Sequence, residues 1–294
     1  ATTHTWTLTE AWEQVSAGGH HTCGIRTDGS LYCWGSNEPL PVLVGDPGTR
    51  WRQVGAGGEH TCAVRDDHTL WCWGHADRTG VGAGAEGPTQ LVVPGDAPIA
   101  SVHAGWDFSC ALTVQGDSVC WGNNDNGQLH IGQRDDLPPI DSRPTASLRW
   151  ESPITSLAVG HYHGCQVAQG ILRCWGLGAE GQLGVVEGLA PCAQNRACSP
   201  EGLAVEPPEG LSWTDVNAGK AHTCALDEQG GRLCWGNPAH GALGDGVADG
   251  AHHPAHAAIQ PPRRADVEPR RWQALDAYDF RGCGLDEQGG LWCW

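Results

Sequence analysis

Fourteen cysteines are the residues in this chain best placed to do chemistry. Twelve fall into six spaced pairs: Cys23 and Cys33, Cys62 and Cys72, Cys110 and Cys120, Cys165 and Cys174, Cys224 and Cys234, Cys283 and Cys293. Five pairs are 10 residues apart and the fourth is 9 apart. Cysteines in pairs either bridge to disulfides or hold a metal as thiolates. A four-thiolate zinc site wants pairs two to four residues apart, and that spacing is absent. Free thiols have no reason to recur in register. Each pair is therefore expected to bridge, with Cys192 and Cys198 joined to each other around Ala193–Ala197. Such a set belongs to an oxidising, extracellular setting.

Other chemistry is thinly represented. His252, His253 and His256 have a spacing that could hold a transition metal, but they lie in an Ala/Pro-rich stretch and read as a solvated loop. Asn124-Asp125-Asn126-Gly127 resembles part of a calcium loop without its bidentate glutamate. No serine elbow and no phosphate-cradling glycine loop stands out. No catalytic residue, metal or cofactor is assigned, and the chain reads as non-catalytic. With Lys and Arg at 17 against Asp and Glu at 34, the net charge is -17. Phosphate affinity needs clustered Lys and Arg, so nucleic acid is a poor partner. No apolar run reaches the roughly 18 residues of a membrane span, so no membrane insertion is expected. Lysine occurs once and the chain is rich in Ala, Gly and Arg, which suggests a bacterial source.

The elements that must position the cysteines come from a repeat. Trp12-x-x-Val15-x-Ala17-Gly18, His21-Thr22-Cys23 and Leu31-Tyr32-Cys33-Trp34-Gly35 return as Trp51-x-x-Val54-x-Ala56-Gly57, His60-Thr61-Cys62 and Leu70-Trp71-Cys72-Trp73-Gly74. Shorter echoes begin at Ile99, Ile154, Trp213 and Trp272, each 11 residues before its first cysteine. The apolar alternation in Trp12–Ala17 predicts a half-buried strand. Thr27-Asp28-Gly29 predicts a tight turn between two more. Cys23 and Cys33 are equidistant from Asp28 and so face each other across that hairpin. Fourth strands are expected at Pro41–Val44, Thr89–Val93 and Leu203–Glu206. Four strands at a period of roughly 40 to 60 residues describe a propeller blade.

The expectation is one all-β domain over residues 1–294: a six-bladed β-propeller with one disulfide inside each blade. Blade boundaries fall at 11–50, 51–98, 99–153, 154–212, 213–271 and 272–294. The last copy stops at its third strand, and residues 1–10 are expected to pair there and close the ring. Closure removes exposed strand edges.

The Ala-Gly-x-x-His-Thr-Cys and Leu-x-Cys-Trp-Gly motifs resemble the regulator of chromosome condensation repeat. So do Asn123–Leu129, Ala179–Gly184 and Ala239–Gly244. The resemblance covers nearly the whole chain. It implies a propeller but no single activity, since the family includes a chromatin-bound exchange factor, a photoreceptor and a secreted bacterial β-lactamase inhibitor. The disulfides and acidity are most similar to the secreted bacterial members.

The turn between the first two strands of each blade opens on one rim. Its variable positions are Gly19-His20, Gly58-Glu59, Trp106-Asp107, His161-Tyr162, Lys220-Ala221 and Asp279-Phe280, with Phe108 and Tyr278 alongside. Aromatics mixed with Asp, Glu, Lys and His suit a protein-binding surface. They equally suit sugar rings, or a plug for the central channel. The repeated Trp34, Trp73, Trp121, Trp175, Trp235 and Trp294 are expected to pack between blades. His21, His60 and His222 are expected to staple the turns. The leading reading is a secreted or cell-surface scaffold that recognises a protein. A carbohydrate-binding lectin and a structural subunit of an extracellular assembly stand as alternatives.

Overall fold

The computed structural model describes residues 11–36, 38–75, 87–130, 140–146, 153–185, 187–192, 195–244, 263–264 and 271–294. Among them the chain is all β. The first sheet contains β1 (Trp12–Ala17), β2 (His21–Arg26), β3 (Leu31–Gly35) and β4 (Glu38–Leu43). The second contains β5 (Trp51–Ala56), β6 (His60–Arg65), β7 (Leu70–Gly74) and β8 (Thr89–Leu91). The third contains β9 (Ile99–Ala104), β10 (Phe108–Thr113), β11 (Ser118–Asn123) and β12 (Ile140–Ala146). The fourth contains β13 (Ile154–Val159), β14 (His163–Ala168), β15 (Ile171–Leu177), β16 (Ala190–Pro191) and β17 (Ala197–Val205). The fifth contains β18 (Trp213–Ala218), β19 (His222–Asp227), β20 (Arg232–Gly236) and β21 (Arg263–Arg264). The sixth contains β22 (Trp272–Tyr278), β23 (Arg281–Asp286) and β24 (Leu291–Cys293).

Every sheet is antiparallel, and four of the six share one turn chemistry between their second and third strands. Asp28 Oδ1 accepts from Ser30 N at 2.8 Å and Ser30 Oγ at 2.6 Å, while Gly29 takes φ 84°. Asp67, Asp227 and Asp286 repeat this side-chain turn in three other sheets. These turns fix the register, which places Cys23 opposite Cys33, and likewise each later pair. The bridged Cα atoms are 4.0 to 4.1 Å apart in the six hairpin pairs and 6.0 Å apart for Cys192 and Cys198. All seven expected bridges are in place.

Apolar side chains weld each sheet to the next. Ile25 and Leu31 pack on Trp51 and Val54, Leu70 on Ile99 and Trp121, and Phe108 and Leu129 on Ile154 and Trp175. The series continues through Leu172 and Leu183 against Trp213 and Trp235, then Leu226 against Trp272. The first strands of all six sheets line one central cavity of about 720 Å³.

Polar side chains, three amides and one hydroxyl, link first strands of neighbouring sheets at four seams. Gln14 exchanges two hydrogen bonds with the Val54 backbone, at 3.1 and 3.0 Å. Gln53 does so with Val102, at 2.8 and 2.7 Å. Ser156 bonds Asp215 Oδ1 and Val216 N, and Asn217 bonds Leu275 O and Ala277 N. Polar side chains here replace the backbone ladder that diverging strands cannot form.

Two expectations are corrected. The fourth strand of the fourth sheet starts earlier than foreseen, at Ala197, because the Cys192–Cys198 bridge folds β16 back on it as an extra hairpin. The first sheet's outer strand also begins earlier, at Glu38, because only two residues separate it from Gly35. The closing segment 1–10 and the histidines 252, 253 and 256 lie outside the described residues.

Candidate functional site: one rim of the ring

The turns between first and second strands meet on one rim. Gly18, Gly57, Gly105, Gly160 and Gly219 each donate a backbone hydrogen bond to the carbonyl three residues on, at 2.8 to 3.0 Å. A Cβ at Gly57 would strike both the His60 ring and the Gly105 carbonyl, which requires glycine there. Backbone bonds then pass from sheet to sheet: Gly19 N to Gly57 O, Gly58 N to Gly105 O, His161 N to Gly219 O, and Lys220 N to Asp279 O. The sixth sheet breaks the pattern. Tyr278 stands where the other five have glycine, and Asp279 is left-handed at φ 51°.

The variable side chains form a strip across this girdle. His20 lies 6.3 Å from Trp106, and Trp106 stacks on His161 at 4.7 Å. His161 lies 5.7 Å from Tyr278 and 6.1 Å from Tyr162. Lys220 Nζ is 3.7 Å from Asp279 Oδ1 and 4.5 Å from the Phe280 ring. Phe280 in turn meets His240 at 4.9 Å, a contact that sequence reading missed. Burial lowers the His161 pKa to about 4, with Asp279 pulling back upward. His161 is thus neutral at pH 7, and Lys220 is the cation that faces Asp279. Burial, and then the Asp279 charge, push Tyr278 up to about 12.

The expected rim residues divide by exposure. His20 and Glu59 are exposed, and Trp106, Asp107, Tyr162, Lys220, Tyr278, Asp279 and Phe280 are half-buried. Phe108 is 0% exposed and is corrected from rim surface to core: it fills the place where other sheets carry the stapling histidine. His161, at 4%, supports the strip from beneath.

Staples run between sheets below the rim. His21 Nε2 lies 2.7 Å from Thr61 Oγ1, and His60 Nε2 lies 2.7 Å from Ser109 Oγ. His163 Nε2 lies 2.9 Å from Thr223 Oγ1. Sequence reading missed His163, although Gly160-x-x-His163 aligns with Gly18-x-x-His21. His222 does not staple as expected. Its partner position in the sixth sheet is Gly282, and both ring nitrogens are buried without a hydrogen bond. The third sheet avoids that mismatch by carrying Phe108 at the histidine position, where the aligned residue of the fourth sheet is Gly164.

Of the repeated tryptophans, Trp73, Trp121, Trp175, Trp235 and Trp294 pack at seams between sheets, while Trp34 lies 5.6 Å from Trp12 of its own sheet. Trp121, Trp175 and Trp235 are buried. Trp175 donates to Gln128 O at 2.8 Å, Trp235 to Gln182 O at 3.0 Å and Trp294 to Ala242 O at 3.0 Å. Each acceptor sits in the turn of the preceding sheet that carries the second repeat signature. Among the described residues no group of three or more His, Cys, Asp or Glu is arranged to hold a metal.

Sheets stacked around one polar cavity, with a variable rim over a glycine girdle, define a repeat-built β-propeller. The Regulator of chromosome condensation (RCC1) repeat matches residues 12–38, 51–78, 99–128 and 213–242. The chain thus carries this repeat in its first, second, third and fifth sheets. It is 28% identical over 239 residues to the RCC1 domain-containing protein RUG3, mitochondrial, of Arabidopsis thaliana, covering 78% of this chain and 43% of that protein. It is 27% identical over 236 residues to the ultraviolet-B receptor UVR8 of the same plant, covering 80% and 43%. It therefore spans less than half the length of these curated relatives. The solved structure of Prp20p from Saccharomyces cerevisiae, described with its binding to Gsp1p and histones, superposes with a TM-score of 0.76 at 18% identity, over 92% of this chain and 67% of that one.

Proposed function

We propose that this chain is a non-catalytic binding scaffold that recognises a protein partner through the rim carrying Trp106, Lys220, Tyr278, Asp279 and Phe280. The observation that carries this reading is the continuous strip from His20 to His240. It spans sheets far apart in sequence, yet leaves aromatic faces and a Lys–Asp pair half-exposed over a backbone bonded from sheet to sheet at four seams. Half-buried aromatics beside charges are the usual energetic centre of a protein interface. Prp20p, a structural relative, is described as a protein binder. In this reading the six sheets are six blades, closed by residues 1–10 against β24. The bridge in every blade supports an oxidising, extracellular or cell-surface location. The acidic charge disfavours nucleic acid.

The test is partner capture followed by mapping. A partner retained by the wild-type chain should protect residues 106–108, 161–162 and 278–280 from amide exchange. Trp106→Ala and Phe280→Ala should each weaken its binding at least tenfold, as hot-spot truncations do. Protection confined to the opposite rim, or glycan-array hits with no protein partner, would reverse the reading.

A further inference from the structure

The seam between the fourth and fifth sheets and the seam between the first and second carry the same side chains but differ in one filling. At the former, His163 Nε2 meets Thr223 Oγ1 at 2.9 Å, and Thr223 Oγ1 donates to Gln182 O at 2.8 Å. Trp235 Nε1 donates to that same carbonyl at 3.0 Å. The backbone of Gln182 passes so close to Gly236, at φ 105°, that a Cβ there would lie 3.2 Å from the Gln182 Cα. The next residue, Leu183, is 0% exposed and sits in the core of the seam. One Gly-Gln-Leu turn is therefore clasped by Thr, Trp and Gly of the following sheet.

The first seam has the complete clasp and no turn. His21 Nε2 meets Thr61 Oγ1 at 2.7 Å, and Trp73 and Gly74, at φ 108°, stand where Trp235 and Gly236 stand. The first sheet passes from Gly35 to β4 at Glu38, with no room for the turn. What remains is an open cleft of about 690 Å³ whose lining includes His20, Ser36, Glu59, Thr61, Trp73 and Gly74. Two observations mark it as unfilled. Trp73 is half-buried where Trp175 and Trp235 are buried, and Cys33 is half-buried where Cys174 and Cys234 are buried. Thr223 donates to Gln182 and so accepts from His163. With the same tautomer at His21, the Thr61 proton has only the distant Cys23 Sγ, at 3.9 Å, and among the described residues neither it nor the Trp73 indole N–H reaches a carbonyl.

The geometry points to this cleft as a docking socket for a loop of the protein partner, in which a backbone carbonyl is followed directly by a leucine-like side chain. The carbonyl takes the two bonds from Thr61 Oγ1 and Trp73 Nε1, and the aliphatic side chain covers Cys33 and the Trp73 face. The occupant is argued from the chain's own complementarity, since it fills the equivalent seam with such a turn. His20 and Glu59 place the mouth on the rim described above, so this inference rests on the partner-binding reading and names the chemistry of one contact.

The probe is a capped peptide of residues 179–184, Ala-Glu-Gly-Gln-Leu-Gly, titrated into the full chain with ¹⁵N-labelled tryptophan indoles. The Trp73 resonance, assigned from its loss in Trp73→Phe, should shift saturably at millimolar peptide. A peptide with the leucine replaced by alanine should leave it in place. Thr61→Val should weaken the peptide about fivefold, the effect of one neutral hydrogen bond. A chain with the 178–184 turn inserted between Gly35 and Glu38 should fold with a raised melting temperature and no longer bind. An unmoved Trp73 signal, an equal response to the alanine peptide, a response to sugars alone, or binding by the filled chain would overturn the socket. If it fails while Trp106→Ala and Phe280→Ala still release the partner, the rim reading stands without it. If the socket binds peptide while those rim variants hold the partner unchanged, the rim strip is the reading that fails.

Discussion

His163 and Thr223 are bonded across a sheet boundary at 2.9 Å, while the ring nitrogens of His222, the same position one sheet on, are buried without a bond, and the residue aligned with Thr223 in the next sheet is Gly282. Both imidazoles are 0% exposed. A buried donor costs about 1–3 kcal/mol when unpaired, whereas a paired one is net stabilising. His163→Phe should therefore lower unfolding free energy by about 1–2 kcal/mol in chemical denaturation. His222→Phe, which copies the Phe108 and Gly164 arrangement of the third seam, should be neutral or stabilising. Equal losses in the two variants would mean that His222 has a partner in solution.

The same histidines set an acid limit. Burial lowers His103, His130, His161 and His222 to about 4 and His163 to about 3, from the ordinary 6.5. The folded chain keeps them neutral while the unfolded chain takes up protons near 6.5. Stability is thus fully present above about pH 6.5 and is lost progressively as pH falls towards 4. Melting temperature measured between pH 7.5 and 4.5 should fall throughout this window, and the slope should flatten in His163→Phe. A flat profile down to pH 5 would contradict the buried, neutral assignment.

Each hairpin bridge closes a loop of 9 or 10 residues. Chain entropy assigns such a loop about 3 kcal/mol. The Cys165→Ala, Cys174→Ala double variant should lose about that much, with the other six bridges intact by non-reduced peptide mapping. A loss below about 1 kcal/mol would show that the hairpin register, rather than the bridge, holds the fourth sheet.

These features were unequally legible in the sequence. Cysteine register, the aspartate turns and the 11-residue lead from anchor to cysteine are local signals, and they located the sheets and six bridges, while Cys192–Cys198 followed as the pair left over. Whether a rim residue faces outward depends on its neighbour sheet. Phe108 lies beside Trp106 in the turn, yet it packs inward because it replaces a stapling histidine. His222 looked like His21 and His60; the missing hydroxyl that sets it apart is 60 residues away, at Gly282. The open first seam is invisible until Trp73 is compared with Trp235 in three dimensions.

Ring closure gives the last prediction. Among the described residues β24 has no outer partner, and Leu291 and Trp292 are 73% and 45% exposed. Every other sheet carries a further strand at that place. An uncovered edge with exposed apolar side chains is a template for association. If residues 1–10 supply the missing strand, deleting them should expose Leu291–Cys293 to amide exchange, lower the melting temperature by several degrees and promote dimers or larger species in light scattering. Exchange at residues 291–293 that is fast in the intact chain, and unchanged by the deletion, would place the closure elsewhere.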